Sequence, residues 1–154
     1  MTKKHSLVIY YSLSGNTKKA AEYIQKKTDS DIEELRPIDP YAGYDDAASR
    51  GEDEKDNDIH PKIQDLQSDL SQYDDIYLGF PTWWNQPPML IHTFFEQNDL
   101  SGKTIIPFST SMSSSIDGSQ TVIKESLADK NVNIKPGFMA NRDSNIENYL
   151  KNNN

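Results

Sequence analysis

The sequence predicts an α/β protein: an open, doubly wound parallel sheet of five strands with helices on both faces, in a single domain over residues 1–154. Three observations predict it. Short β-rich apolar runs alternate with amphipathic stretches along the whole chain. The runs at 6–11, 75–80 and 104–109 read as strands, and that at 6–11 shows no polar–apolar alternation, so it reads as buried on both faces. Each of these three runs ends in a polar or proline-bounded turn, and no linker or internal repeat divides the chain.

Residues 6–11 (Ser-Leu-Val-Ile-Tyr-Tyr) are the first strand; the lysines before them lack the small-residue cleavage pattern of a signal peptide. Residues 17–27 have helical spacing, with Ala20, Ala21 and Ile24 on the apolar stripe and four lysines on the wet face. Residues 31–36 read as a half-buried strand ended by Pro37 and Pro40. Residues 37–58 hold Pro, Gly and many acids, and read as a long loop with at most a helical turn near 45–50. Pro61 is expected to open a helix to about Ser71, with Ile63, Leu66 and Leu70 on one stripe. Residues 75–80 form a strand broken by Pro81, and Pro87 and Pro88 sit in the first turn of a helix that runs to about Glu96. A strand at 104–109, a helix at 119–129, a last strand at 132–139 and a last helix at 143–151 complete the order.

Composition removes several functions. The absence of cysteine excludes disulfides, thiolate metal sites, iron–sulfur ligation and a cysteine nucleophile. His5, His60 and His92 lie far apart in sequence, so no metal site is expected. No apolar run approaches the ~20 residues of a membrane span, and a cytoplasmic protein without membrane insertion is expected. Sixteen basic against 24 acidic residues, a net charge of −8, argue against a nucleic-acid partner. The charge is uneven: residues 29–58 carry net −9, and residues 63–102 carry six acids with no Lys or Arg. Such a surface serves solubility and can also steer a basic protein partner.

Chemistry is expected in the three turns, because ligands of open α/β sheets bind beyond the carboxyl ends of the strands. Ser12-Leu13-Ser14-Gly15-Asn16-Thr17 leads into a helix N-terminus, where free N–H groups and the helix dipole favour an anion. A helix cap needs one polar residue; here four short donors, Ser12, Ser14, Asn16 and Thr17, fall in six positions. No lysine stands where a triphosphate loop would place one, and a single glycine is too few for a dinucleotide fingerprint, so a terminal phosphate fits best. Pro81-Thr82-Trp83-Trp84-Asn85 holds both tryptophans. Adjacent in a turn, they cannot both point one way; one is expected to pack inward and the other to face a planar ligand. Thr110-Ser111-Met112-Ser113 opens a hydroxyl-rich stretch that can read the polar edge of a heterocycle without adding charge, or serve only as a surface loop.

With these motifs together, the chain resembles the flavodoxins and flavodoxin-like proteins, in particular a short bacterial branch. Residues 12–17 look like the family's S/T-x-S/T-G-N-T phosphate loop, and the likeness extends through Gly79-Phe80-Pro81-Thr82-Trp83-Trp84, Phe94-Phe95, Ser101-Gly102-Lys103 and Pro107-Phe108-Ser109-Thr110-Ser111. The resemblance implies the strand order 2-1-3-4-5. It also implies noncovalent FMN, with the phosphate on residues 12–17 and the ring between residues 81–85 and 110–113. Relatives carry glycine after the tryptophan pair; Asn85 stands here, and Asn is the next-best residue for a left-handed backbone. Glycines of relatives are replaced at Met112-Ser113-Ser114, where Met112 could cap one face of the ring.

A flavin supplies its own redox chemistry, so no catalytic acid–base residue and no metal ligand is required of the three turns. The reading is an FMN-binding electron-transfer protein with basic-faced redox partners; the oligomeric state is left open. Alternatives are an FMN-dependent NAD(P)H or quinone oxidoreductase on the same fold, and a cofactor-free interaction domain.

Overall fold

The computed structural model describes residues 5–111 and 115–152. In chain order its elements are β1 (Ser6–Tyr10), α1 (Asn16–Thr28), β2 (Asp31–Glu34), α2 (Tyr44–Asp56), β3 (Asp75–Pro81), α3 (Leu90–Gln97), β4 (Thr104–Thr110), α4 (Asp117–Ser126), β5 (Asn133–Ile134), β6 (Phe138–Met139) and α5 (Asp143–Asn152). The sheet order is β2-β1-β3-β4-β5, with β6 also paired to β4, and every ladder is parallel. This is the expected doubly wound order.

The two-residue period of β1 explains the two cores. Leu7, Ile9 and Tyr11 join Ile76, Leu78, Phe80 and Ile105 under α3 and α4, with Leu90, Ile91, Phe94 and Ile123. Val8 and Tyr10 turn the other way and pack with Ile106 and Phe108 against Ala20, Ala21 and Ile24 of α1 and Ile146 of α5. Both faces are buried, which is why the strand carries no polar alternation. Gly79 makes room for this packing: a Cβ there would lie 2.2 Å from the Phe108 ring.

Three segments depart from the sequence-based expectation. Residues 37–58 are not a loop: thirteen of them form α2. Its inward face is Ala47, Gly51 and Glu54, at helical spacing but without a large apolar side chain. Residues 61–69, expected as part of a helix, form none. Ile63 bridges antiparallel to Pro37, Ile38 N–H donates to the Lys62 carbonyl (2.9 Å) and Gln64 N–H to that of Arg36 (2.8 Å). The Glu33 carboxylate then accepts the N–H groups of Gln67 and Ser68 at 2.7 and 2.8 Å, which a helix would need for itself. Only Leu70–Gln72 curl, as a 3₁₀ turn.

The expected last strand is split into β5 and β6. Ile105 and Ser109 turn their carbonyls to this strand, bonding Lys135 N–H (2.9 Å) and Ala140 N–H (2.7 Å). By the two-residue period Pro107 faces the same side and has no N–H to offer. The ladder breaks opposite it, at residues 135–137. The helix after Pro87 and Pro88 starts at Leu90, preceded by a 3₁₀-like turn in which Ile91 N–H donates to Pro88 (3.0 Å).

Candidate functional site

The turns after β1, β3 and β4 meet at one sheet edge, beside the point where the chain crosses from one side of β1 to the other. Hydrogen bonds tie them together. The Thr17 and Thr110 hydroxyls lie 2.7 Å apart and buried, and those of Thr82 and Ser109 lie 2.6 Å apart. Thr82 N–H donates to the Thr110 carbonyl at 2.9 Å.

The first turn is built from backbone. Gly15 precedes α1 at φ +99°, a conformation that favours glycine, and nothing lies within 4 Å of a Cβ placed there. No side chain caps α1, and its first turn holds no acid. The helix end therefore presents uncompensated N–H groups and positive dipole to the edge. Ser12 folds back to accept Gly15 N–H (3.1 Å), which shapes the turn, while Ser14 and Asn16 are exposed and Leu13 packs against the larger core.

The second turn is built from tertiary contacts. Pro81 ends β3. Trp83 and Gln86 pair backbone to backbone (2.9 and 3.2 Å), and the two residues between them, Trp84 and Asn85, have φ +54° and +64°. These are the signs of a tight turn with both central residues left-handed. Asn85 takes the conformation expected of it; Trp84, a bulky residue, takes it too. The tryptophans diverge as expected. Trp83 packs against the core, edge-on to Tyr41 (5.0 Å between centroids) and Tyr11 (5.7 Å), whereas Trp84 is 50% exposed. The Trp84 indole N–H donates to the Ala48 carbonyl at 3.2 Å, and a Cβ on Gly51 would stand 3.3 Å from Trp83. Helix α2 thus carries both indoles, through residues the sequence did not single out.

In the third turn, Ser111 N–H donates to the Asn141 side-chain oxygen (2.9 Å), and the Asn141 amide donates back to the Ser111 carbonyl. Asn141, just after β6, is a further unanticipated member. So is Gly118, where a Cβ would lie 2.4 Å from the Asn85 carbonyl oxygen, so that α4 closes directly on the tryptophan turn. Met112 and Ser113 lie outside the described residues.

Charges gather behind the tryptophans. Burial pushes the Glu54 carboxyl above the ordinary range, against the pull of the Tyr41 hydrogen bond and Arg50. Burial also pushes the Tyr11 phenol up to about 12. Beyond α2, His60 holds Glu96 and Asp58 through its two ring nitrogens, both at 2.8 Å, and stacks on His92 at 4.9 Å. The fold so brings together two of the three scattered histidines. Among the described residues no group of three or more His, Asp or Glu could hold a metal.

An open depression of about 620 Å³ lies at the opposite edge of the sheet, lined by Asp69, Asp99 and Lys103 among others. Three of its four charged side chains hold partners within the chain. Lys103 donates to the Tyr73 carbonyl (2.7 Å), Asp69 accepts Ser71, and Asp99 accepts Ser101. It has size but no aromatic wall.

An uncapped helix end, a tryptophan turn and a hydroxyl-bearing strand end stand together at the β1/β3 crossover of a doubly wound α/β sheet, the edge at which folds of this class bind ligands. The chain belongs to the flavodoxin family: the family's model matches residues 5–153. It is similar to an inferred flavoprotein from Bacteroides eggerthii (33% identity, 97% of each chain covered, TM-score 0.86). It also resembles a flavoprotein from Lactobacillus acidophilus solved in complex with FMN (26% identity, 96% of this chain and 99% of that one, TM-score 0.82). No curated protein matches the chain. Among the described residues no helix is long and apolar enough to cross a membrane.

Proposed function

We propose that this chain binds FMN noncovalently at the edge formed by residues 12–17, 81–85 and 110–111, and that it carries electrons one at a time between protein partners. The carrying observation is the uncapped start of α1 behind the left-handed Gly15, set on the same sheet edge as a braced tryptophan pair. The donor set suits the cofactor. Helix-end N–H groups with the Ser12, Ser14 and Asn16 side chains suit a phosphate monoester. The two indoles suit a planar ring, and the Ser111 backbone, fixed by Asn141, suits its polar edge. FMN supplies the redox chemistry when bound. The protein's residues bind, orient and screen it. Acidic surroundings and electron-rich indoles disfavour added negative charge and favour a low potential.

Partner docking follows from charge. Asp45, Glu52, Asp53 and Asp56 are exposed on α2, the helix that carries exposed Trp84. A partner with a basic face suits this surface, and its association weakens with salt.

The test is the visible spectrum of the purified protein, followed by stepwise reduction. Flavin bands that stay with the protein and reduce in two separated one-electron steps are expected. A single two-electron step with steady NAD(P)H–quinone turnover would replace the carrier by an oxidoreductase. No uptake of added FMN would leave the cofactor-free reading.

A further inference from the structure

The assembly beneath Trp83 is more elaborate than packing requires. Tyr41, 8% exposed, sets its ring edge-on to Trp83 at 85° and 5.0 Å, and edge-on to Tyr11 at 61° and 6.1 Å. Its hydroxyl donates to Glu54 at 2.5 Å, and Glu54 is itself 6% exposed. The Arg50 guanidinium lies over the Tyr41 ring, 4.1 Å from the centroid. Arg50 is fixed in turn by the carbonyls of Pro40 and Asp39 (3.2 Å each) and by Asp46 (3.3 Å) and Glu54 (3.7 Å).

A buried carboxylate and a half-buried guanidinium are costly to desolvate, and an aliphatic cluster would stabilise the fold as well or better. What the polar assembly adds is direction. A phenol held at its oxygen by Glu54 and on its ring by Arg50 has one plane, and that plane meets the Trp83 indole perpendicularly. Gly51 in the same helix lets the backbone come close to that indole. We propose that Tyr41 is a positioning residue of the flavin site: gripped by Glu54 and Arg50, it fixes the plane of Trp83 and so sets how tightly FMN is held. The proposal rests on the flavin reading above.

A double-mutant cycle tests it. Tyr41→Phe keeps the ring and removes the grip of Glu54; Trp83→Phe removes the indole on which Tyr41 acts. FMN affinity is read by flavin fluorescence titration, and indole order by near-ultraviolet circular dichroism of the protein without added FMN. Tyr41→Phe is expected to keep the far-ultraviolet signal, to diminish the tryptophan bands and to weaken FMN binding roughly three- to tenfold. In the Trp83→Phe background the same change should have almost no further effect on affinity. Equal losses in both backgrounds, or no loss in either, would overturn the role. Should Tyr41→Phe fail to fold, Glu54→Leu, which keeps the Tyr41 ring and removes the acceptor of its hydroxyl, is carried through the same cycle with the same reading. A wild-type protein that takes up no FMN refutes the flavin reading itself; uptake unaffected by Tyr41→Phe refutes only the positioning role.

Discussion

The two turns that face each other across the candidate site are made in opposite ways. Residues 12–17 are shaped locally, by the left-handed Gly15, by one Ser12 hydrogen bond and by the uncapped start of a helix. Residues 81–86 are shaped from a distance. Their indoles lean on Tyr11, Tyr41, Ala48 and Gly51, three of which belong to the segment between β2 and β3. A turn made of backbone N–H groups takes its shape where the chain makes it, so the first needs little beyond its own six residues. An indole needs something to stand against, so the second needs another helix.

The largest effect should come from the floor both turns share. Gly79→Ala would place a Cβ 2.2–2.8 Å from atoms of the Phe108 ring. We expect a loss of roughly 3 kcal/mol in urea denaturation, with both turns disordered together. A loss well under 1 kcal/mol would mean that Phe108 moves aside and that the floor is softer than its packing indicates.

Next is Gly15→Ala, where the Cβ meets nothing and only the backbone at φ +99° resists. A cost of about 1 kcal/mol is expected, with weaker FMN binding and unchanged tryptophan circular dichroism. Altered tryptophan bands would break the distinction between a local and a remotely built turn.

The smallest effect concerns pH and should reach only the side of the site braced by α2. Burial alone would lower His60, but its hydrogen bonds to Glu96 and Asp58 outweigh this and hold it above the ordinary histidine value; burial, then the His60 charge, pushes His92 below it. The His60 contribution is therefore complete below the ordinary pKa of about 6.5 and is lost as pH rises through its own higher value. That of His92 is present above about 6.5 and is lost as pH falls toward its lower value. Stability against pH should show a shallow maximum, and His60→Gln should remove the decline on the alkaline side, by less than about 1 kcal/mol. An unchanged alkaline limb would remove His60 as an anchor of this segment.

What could be seen in the sequence follows the same division. The three strands and the turn at residues 12–17 were legible because their signals are local: an apolar run, or small polar residues before a helix. Helix α2 was not, because its inward face is Ala47, Gly51 and Glu54, chosen to sit close to an indole rather than to fill a core. The helix expected at 61–71 failed for the converse reason. Ile63, Leu66 and Leu70 do reach the core, but a bridge to Pro37 and the Glu33 carboxylate claim the backbone between them. Asn141 and Gly118 gave no sign at all, since each acts on a turn more than twenty residues away.

The break opposite Pro107 also governs what the molecule does in a crowd. A sheet grows by recruiting a neighbour's strand along an open rim, and growth of that kind leads to aggregation. One rim here offers only the two-residue pieces β5 and β6, parted by Lys135, Pro136 and Gly137. The other is β2, four residues long, of which Asp31, Glu33 and Glu34 are acidic. Neither is a usable template for another copy, so the proline that interrupts the sheet also keeps it finite.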